Sequence, residues 1–208
     1  MNAEHEPKAW IQRLPNQLTY LRIILTPVFI WLLFTEGVWN KLLALVVFIV
    51  ASVSDAYDGK IARQYNVVSE EGKFMDPLAD KILVLGSLLA IWYLDFYPLW
   101  MWILILLRDV SITGLRKWMI ANNSTMETSY FAKTKTAAQM TAIYLFIIYL
   151  LLQDWALMDS IRPALDWMSA SGALWWLMFL VTLVTVISGI HYFILNWSFI
   201  KKYIRVHS

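Results

Sequence analysis

Two pairs of aspartates stand at helical spacings in the first half of the chain. Asp55 and Asp58 are three residues apart, and Asp76 and Asp80 are four apart. Both spacings place the two members of a pair on one face of a helix. If a short loop joined two antiparallel helices, the four carboxylates would meet and would repel each other unless cations lay between them. Oxygen ligands suit hard divalent cations, which also bind phosphate oxygens. The pattern predicts two ions, Mg²⁺ or Mn²⁺, placed for phosphoryl chemistry.

Small residues and an arginine follow the first aspartate pair. Gly59 inside a helix costs about 1 kcal/mol relative to Ala, so a packing or ligand reason for it is expected. Gly59 and Ala62 share the helix face of the aspartates and leave room for a flat group to approach the backbone, and Arg63 could meet a phosphate. A solvated helix end or a helix-packing seam would explain single residues of this set, but not the whole pattern.

The elements that hold these residues are predicted to lie in a membrane. Hydrophobic residues make up 60% of the 208 positions and charged residues only 15%, whereas soluble domains have about 45–50% and about 25%. One aqueous core cannot hide this excess, so lipid must cover much of the surface. The 12 Trp and 10 Tyr residues agree with that interpretation, because their rings collect at the depth of the lipid headgroups. The chain has no cysteine, which excludes disulfides and thiolate metal sites.

The apolar segments predict an all-α integral membrane protein with six transmembrane helices in a single domain, residues 1–208. Each segment is near the ~20 residues that a bilayer requires. A short N-terminal interfacial helix is expected within residues 1–16, around Lys8–Leu14. Residues 17–200 would then form the bundle, and 201–208 a cytoplasmic tail. The predicted spans are Leu18–Phe34, Leu42–Ile61, Leu78–Phe96, Leu99–Ile120, Thr136–Leu152 and Ala173–Ile200.

The basic residues predict the orientation of the spans. Most of the 17 Lys and Arg residues lie in one alternating set of loops and helix ends, whereas the opposite loops hold only Lys41 and Arg162. Because basic loops stay in the cytoplasm, both termini and the four aspartates are expected on that side. The first 16 residues have neither the apolar core of a signal peptide nor the Arg- and Ser-rich composition of a transit peptide, which favours a bacterial inner membrane.

The segment from Asp55 to Asp80 resembles the CDP-alcohol phosphotransferases. Their signature, D-x-x-D-G-x-x-A-R-x8-G-x3-D-x3-D, is matched at every fixed position. Near the start of the first span, Pro15-Asn16-Gln-Leu-Thr19-x-x-Arg22 is similar to the segment with which the family usually begins. The resemblance implies a fold of six transmembrane helices, usually as a homodimer, with the active site facing the cytoplasm.

The same resemblance implies roles for individual residues. The four aspartates would hold two divalent ions, and Asp80 would also act as the base that takes the proton of the acceptor hydroxyl. The implied ligands of CDP-diacylglycerol are Asn16, Thr19, Asp58, Gly59, Ala62, Arg63, Ser69 and Gly72.

A second group of charged residues starts inside the fourth apolar segment. An arginine within a membrane span is energetically costly, so Arg108 suggests a function. Its neighbour Asp109 could instead be only its ion-pair partner. Arg116 follows two helical turns later on the same face. Lys133 and Lys135 open the fifth span, where they could instead be positive-inside anchors. Together the four cations could form a pocket for an anionic headgroup.

This second group resembles one branch of the family. The stretch from Arg108 to Arg116, with Lys133-Thr-Lys-Thr-x-x-Gln139, is similar to the phosphatidylglycerophosphate synthases. The resemblance implies transfer of a phosphatidyl group from CDP-diacylglycerol to glycerol 3-phosphate, giving phosphatidylglycerophosphate and CMP. Alternatives are another acceptor, such as phosphatidylglycerol or inositol phosphate, or a divalent-cation transporter. The transporter is less favoured because the acidic residues lie at helix ends and not at the bilayer midplane.

Overall fold

The structure is a computed structural model that describes residues 9–65, 70–122, 130–155 and 160–201. For residues 9–16, 55–65, 70–74, 76, 77 and 130–133 it describes the backbone alone. The described residues are helical, with no strand among them. Their main helices are α1 (Ala9–Phe34), α2 (Val38–Tyr65), α3 (Glu70–Tyr93), α4 (Leu99–Ala121), α5 (Tyr130–Asp154), α6 (Arg162–Ala170) and α7 (Ala173–Leu195).

The chain divides into two compact units. The first contains Met1–Ala90 and Phe146–Arg162, and the second contains Ile91–Leu145 and Pro163–Ser208. The first unit thus holds α1, α2 and most of α3, and the second holds α4, α7 and the first part of α5. The expectation of a single domain stays a prediction.

A tight turn pairs α1 with α2 in the first unit. Gly37 adopts a φ of 104° in this turn, a left-handed conformation that glycine adopts without strain. The buried Lys41 donates through Nζ to the carbonyl oxygens of Leu33, at 2.5 Å, and Thr35, at 3.1 Å. These carbonyls at the end of α1 lack helical partners, so Lys41 acts as a cap. Further along the pair, the rings of Phe29 and Phe48 pack with their centroids 5.3 Å apart.

The second unit is built around the contact of α4 with α7. The buried face of α7 carries polar and small side chains at intervals of three or four residues, although the rest of the helix is apolar except for His191. Hydroxyl groups on this face donate hydrogen bonds to carbonyl oxygens of the preceding turn. Thr185 Oγ1, for example, donates to Val181 O at 2.7 Å. The residues of the face are Thr182, Thr185, Ser188, Gly189 and Tyr192.

Three helical segments among the described residues are long and apolar enough to cross a membrane. They are Gln17–Phe34, Thr134–Asp154 and Ala173–Leu195, and a shorter apolar segment covers Val38–Ser54. The composition of α4 explains why it is not among them, since Arg108 and Asp109 lie in its middle. A helical membrane protein is therefore consistent with the structure.

Two predicted boundaries were wrong, and one helix was not predicted. The expected separate interfacial helix is instead the first part of α1, which runs without a break through Pro15 to Phe34. The last predicted span is too long, because α7 ends at Leu195 and Asn196 forms a turn. A helix that was not predicted, Arg162–Ala170, precedes it. It is nine residues long, and its sequence, RPALDWMSA, has no apolar run long enough to predict a span.

Candidate active site

The backbone places the four aspartates at the expected helical spacings. Asp55 and Asp58 lie near the end of α2, and Asp76 and Asp80 lie near the start of α3. The Asp80 side chain is partly buried, whereas the other three side chains lie outside those described. Gathering of the four carboxylates into one cluster therefore stays a prediction.

The predicted ligands of CDP-diacylglycerol lie mostly outside the described side chains. Thr19 is the exception, and it is buried in α1. One turn after it, Arg22 has the largest fully buried side chain among the described residues. The sequence places Arg22 in the segment similar to the opening of the family, without indicating a ligand for it. Thr26 donates to the Arg22 carbonyl oxygen at 2.9 Å and continues the same polar face. Five other predicted ligands lie in helices whose backbone alone is described: Asn16, Gly59, Ala62, Arg63 and Gly72. Ser69 lies outside the described residues.

In the second unit, two of the predicted acceptor-binding cations meet at one carboxylate. Lys135 Nζ lies 2.6 Å from Oδ1 and 2.5 Å from Oδ2 of Asp109. Arg108 Nη1 donates to Oδ1 of the same residue at 2.9 Å. The side chains of Arg108, Asp109 and Lys135 are only 10%, 7% and 11% exposed. Such burial strengthens each charge-assisted hydrogen bond, since little water competes for the charges. We call these three residues the Asp109 cluster.

Both arginines of α4 also contact α7. Arg108 Nη2 lies 3.1 Å from Ser188 Oγ, and Arg116 Nη2 lies 3.3 Å from Tyr192 Oη. Arg116 thus lies on the same face of α4 as Arg108, the face that contacts α7, as their spacing of eight residues predicted. Arg116 is the more exposed of the two. The backbone of Lys133 belongs to α5, and its side chain lies outside those described.

A buried amide continues this polar region along α5. Gln139 is fully buried and lies one turn after Lys135. Its Nε2 donates to Thr185 Oγ1 at 3.3 Å. Because the Thr185 hydroxyl gives its hydrogen to Val181 O, its oxygen can only accept from Gln139. The other amide atom, Gln139 Oε1, takes no part in this bond. It is buried and has no hydrogen-bond partner in the described part of the chain.

Comparison with known families accounts for the two sets of residues together. The sequence model of the family described as CDP-alcohol phosphatidyltransferase matches residues 12–187. The chain belongs to this family. The matched range includes the four aspartates of α2 and α3, the whole Asp109 cluster and Gln139, so the family resemblance predicted from the sequence is confirmed.

Curated relatives within the family point to one of its activities. A protein of Bacillus subtilis (strain 168) named CDP-diacylglycerol–glycerol-3-phosphate 3-phosphatidyltransferase is 33% identical over 200 residues, which cover 90% of this chain and 97% of the relative. A Rickettsia bellii protein of the same name is 32% identical over 185 residues, or 88% and 94% of the two chains. An Escherichia coli (strain K12) protein, also of that name, is 34% identical over 137 residues, or 62% and 74%.

The pattern of charged residues did not indicate every residue of the site. It gave Asp109 only as a neighbour for Arg108, whereas the structure pairs Asp109 with Lys135 as well. Ser188, Gly189 and Tyr192 were not singled out. A usable signal was present, since hydroxyl and small residues recur every three or four positions in α7, which is otherwise apolar except for His191. In a membrane helix such a row marks a face that packs against protein.

Proposed function

We propose that this member of the family is a phosphatidylglycerophosphate synthase. It transfers the phosphatidyl group of CDP-diacylglycerol to glycerol 3-phosphate, and it releases CMP. The main support is the similarity along nearly the whole chain to relatives that bear the name of this activity. The charge of the second unit supports the same acceptor. Arg108 and Lys135 share the carboxylate of Asp109, and Arg116 lies on the same face of α4 as Arg108. These four described residues carry a net charge of two positive, which matches a dianionic phosphate.

The reaction requires a base, an acceptor held in line and a leaving group. We assign Asp80 as the base that takes the proton from a hydroxyl of glycerol 3-phosphate. The hydroxyl oxygen then forms a bond to the lipid-side phosphorus of CDP-diacylglycerol, and the bond between that phosphorus and the bridging oxygen of the diphosphate breaks. The bridging oxygen leaves with CMP. A positioned general base contributes about 10²–10⁴-fold in rate. Binding the phosphate of the acceptor also holds its hydroxyl in the right orientation for attack, which raises the rate further.

The donor set of α2 and α3 fits divalent cations. Four carboxylates at spacings of three and four along helical backbone provide hard oxygen ligands only, as Mg²⁺ and Mn²⁺ prefer. Asp55, Asp58, Asp76 and Asp80 would hold two such ions, which when bound neutralise charge on the diphosphate. Gly59, Ala62, Arg63 and Gly72, with Asn16, Thr19 and Ser69, would bind the rest of the CDP-lipid.

The proposal includes the membrane topology and the cellular location of the protein. Six membrane spans, with both termini and the active site on the cytoplasmic side, would follow from the distribution of basic residues. Three apolar helices of spanning length, and the bacterial source of the relatives, support an inner-membrane protein. A homodimer is expected from the family resemblance alone.

Release of CMP by purified protein in detergent micelles tests the function. We expect turnover with CDP-diacylglycerol and glycerol 3-phosphate that requires added Mg²⁺ or Mn²⁺ and stops with a chelator. The acceptor panel should include glycerol, inositol phosphate, serine and phosphatidylglycerol. Preference for any of these over glycerol 3-phosphate would refute the acceptor assignment, and absence of CMP release with all of them would refute the transfer activity.

A further inference from the structure

Arg108 passes α7 at a residue that has no side chain. A Cβ atom built on Gly189 would lie 2.8 Å from Arg108 Cγ, which is closer than Cβ atoms approach other atoms in proteins. Arg108 Nε and Cδ would be 3.5 and 3.7 Å away. Because Cγ is near the root of the side chain, rotation of the guanidinium alone could not relieve this contact. Glycine at position 189 therefore keeps the path of Arg108 open.

The residue before Gly189 holds the far end of the same arginine. The Ser188 hydroxyl donates to Thr185 O at 2.7 Å, so its oxygen is turned to accept from Arg108 Nη2 at 3.1 Å. Asp109 accepts from Nη1 on the other side of the guanidinium. Arg108 Nε is buried and has no hydrogen-bond partner among the described residues. A guanidinium has five N–H donors, so donors remain for a ligand.

The second arginine is held one turn further along α7. Tyr192 is fully buried, and its Oη accepts from Arg116 Nη2 at 3.3 Å. Ser188, Gly189 and Tyr192 thus form a single face, which we call the arginine wall. All three residues follow residue 187, where the family match ends.

We propose that the arginine wall is a positioning element that sets the affinity of the enzyme for the phosphate of its acceptor. It touches no reacting atom, and it acts by aligning Arg108 and Arg116 so that two planar guanidinium groups face one phosphate monoester. Bidentate recognition of this kind depends on the direction of the N–H groups as well as on charge. The inference rests on the proposed function, because it takes glycerol 3-phosphate as the acceptor.

The first test compares Gly189→Ala with Gly114→Ala in the purified full-length enzyme. Both changes add one methyl group to a helix, but no atom of the described residues lies within 4 Å of a Cβ at Gly114. We expect Gly189→Ala to raise the KM for glycerol 3-phosphate by about tenfold, the size of one lost charge-assisted contact. The KM for CDP-diacylglycerol and the kcat at saturating acceptor should stay near wild type, and Gly114→Ala should change none of the three.

A double-mutant cycle separates positioning from a general packing defect. Arg108→Ala removes the Cγ atom that the new methyl group would meet, so adding Gly189→Ala to Arg108→Ala should raise the acceptor KM no further. An additive effect, or an equal rise in both KM values, would overturn the inference. Ser188→Ala and Tyr192→Phe add no volume, and they supply the test if Gly189→Ala does not fold. Each should raise only the acceptor KM, by several-fold, and unchanged values in both would also overturn it.

The outcome for wild type distinguishes this inference from the proposed function. If wild type uses glycerol 3-phosphate and the wall variants behave like Gly114→Ala, only the positioning role fails. If wild type makes no product from glycerol 3-phosphate, the proposed function fails, and with it the acceptor on which the wall is proposed to act.

Discussion

Lys135 Nζ lies within hydrogen-bonding distance of both carboxylate oxygens of Asp109, 26 residues earlier in the chain. The contact joins α5 to α4 in a place where both side chains are nearly excluded from solvent. Arg108 shares the same carboxylate. One acidic group thus compensates the buried Lys135 and the part-buried Arg108, and its removal should cost more than the loss of an exposed pair.

We expect Asp109→Asn to destabilise the protein by about 3–5 kcal/mol, because it removes the nearly buried carboxylate that pairs with Lys135 and Arg108. Thermal unfolding in detergent measures the effect. Asp166→Asn is the control, since it neutralises an exposed aspartate of α6, and it should unfold near wild type. Adding Lys135→Met to Asp109→Asn should recover part of the loss. Equal unfolding temperatures for Asp109→Asn and Asp166→Asn would contradict a structural role for the carboxylate.

The helical spacing of the catalytic candidates was predictable, whereas their long-range partners were not. Intervals of three and four residues predict a shared face, and α2 and α3 do run through Asp55 and Asp76 as helices. The pairing of Lys135 with Asp109 depends on how α5 packs against α4, and no periodicity in either helix specifies that register. The sequence therefore identified Lys135 as a cation of interest without identifying the carboxylate that holds it.

Helix ends were harder to predict than helix interiors. Apolar runs end gradually in a membrane protein, so the continuation of α1 across residues 9–16 could not be separated from an interfacial segment. The end of α7 at Leu195 was missed for a similar reason, since apolar residues continue beyond Asn196. Hydrogen bonds of the helix end decide such boundaries, and Asn196 donates through Nδ2 to Tyr192 O at 2.9 Å.

Arg116 and its neighbour Lys117 offer a test of the acceptor pocket. Arg116→Ala should raise the KM for glycerol 3-phosphate about ten- to hundredfold, since it removes a charge-assisted contact worth about 1.5–3 kcal/mol. The KM for CDP-diacylglycerol should change far less. Lys117→Ala removes the same charge from the next residue, which points about 100° away from Arg116 around the helix axis. It should leave the acceptor KM near wild type. Equal effects of the two variants would indicate a membrane anchor and no pocket.

Lys41 offers a test of the α1–α2 turn, away from both candidate sites. Lys41→Met should destabilise the protein by about 1.5–3 kcal/mol, because the carbonyl oxygens of Leu33 and Thr35 lose a charged donor. Lys201→Met, at an exposed position, is the matched control. The specific activity of the folded Lys41→Met enzyme should equal that of wild type. A loss of activity without a loss of stability would show that the cap interpretation is wrong.

The four aspartates should be separable by their roles. We expect Asp55→Asn, Asp58→Asn, Asp76→Asn and Asp80→Asn each to reduce CMP release to near background while the protein still inserts and folds, since losing one carboxylate relieves repulsion in the metal-free state. Asp95→Asn is the control, because it neutralises an aspartate in the loop between α3 and α4. Binding of Mn²⁺, measured by electron paramagnetic resonance on each purified variant, then distinguishes a ligand from a base. Asp80→Asn should retain more Mn²⁺ than Asp58→Asn if the main role of Asp80 is to take the acceptor proton. Equal loss of Mn²⁺ from both variants would make Asp80 a metal ligand like the others and would leave the base unassigned.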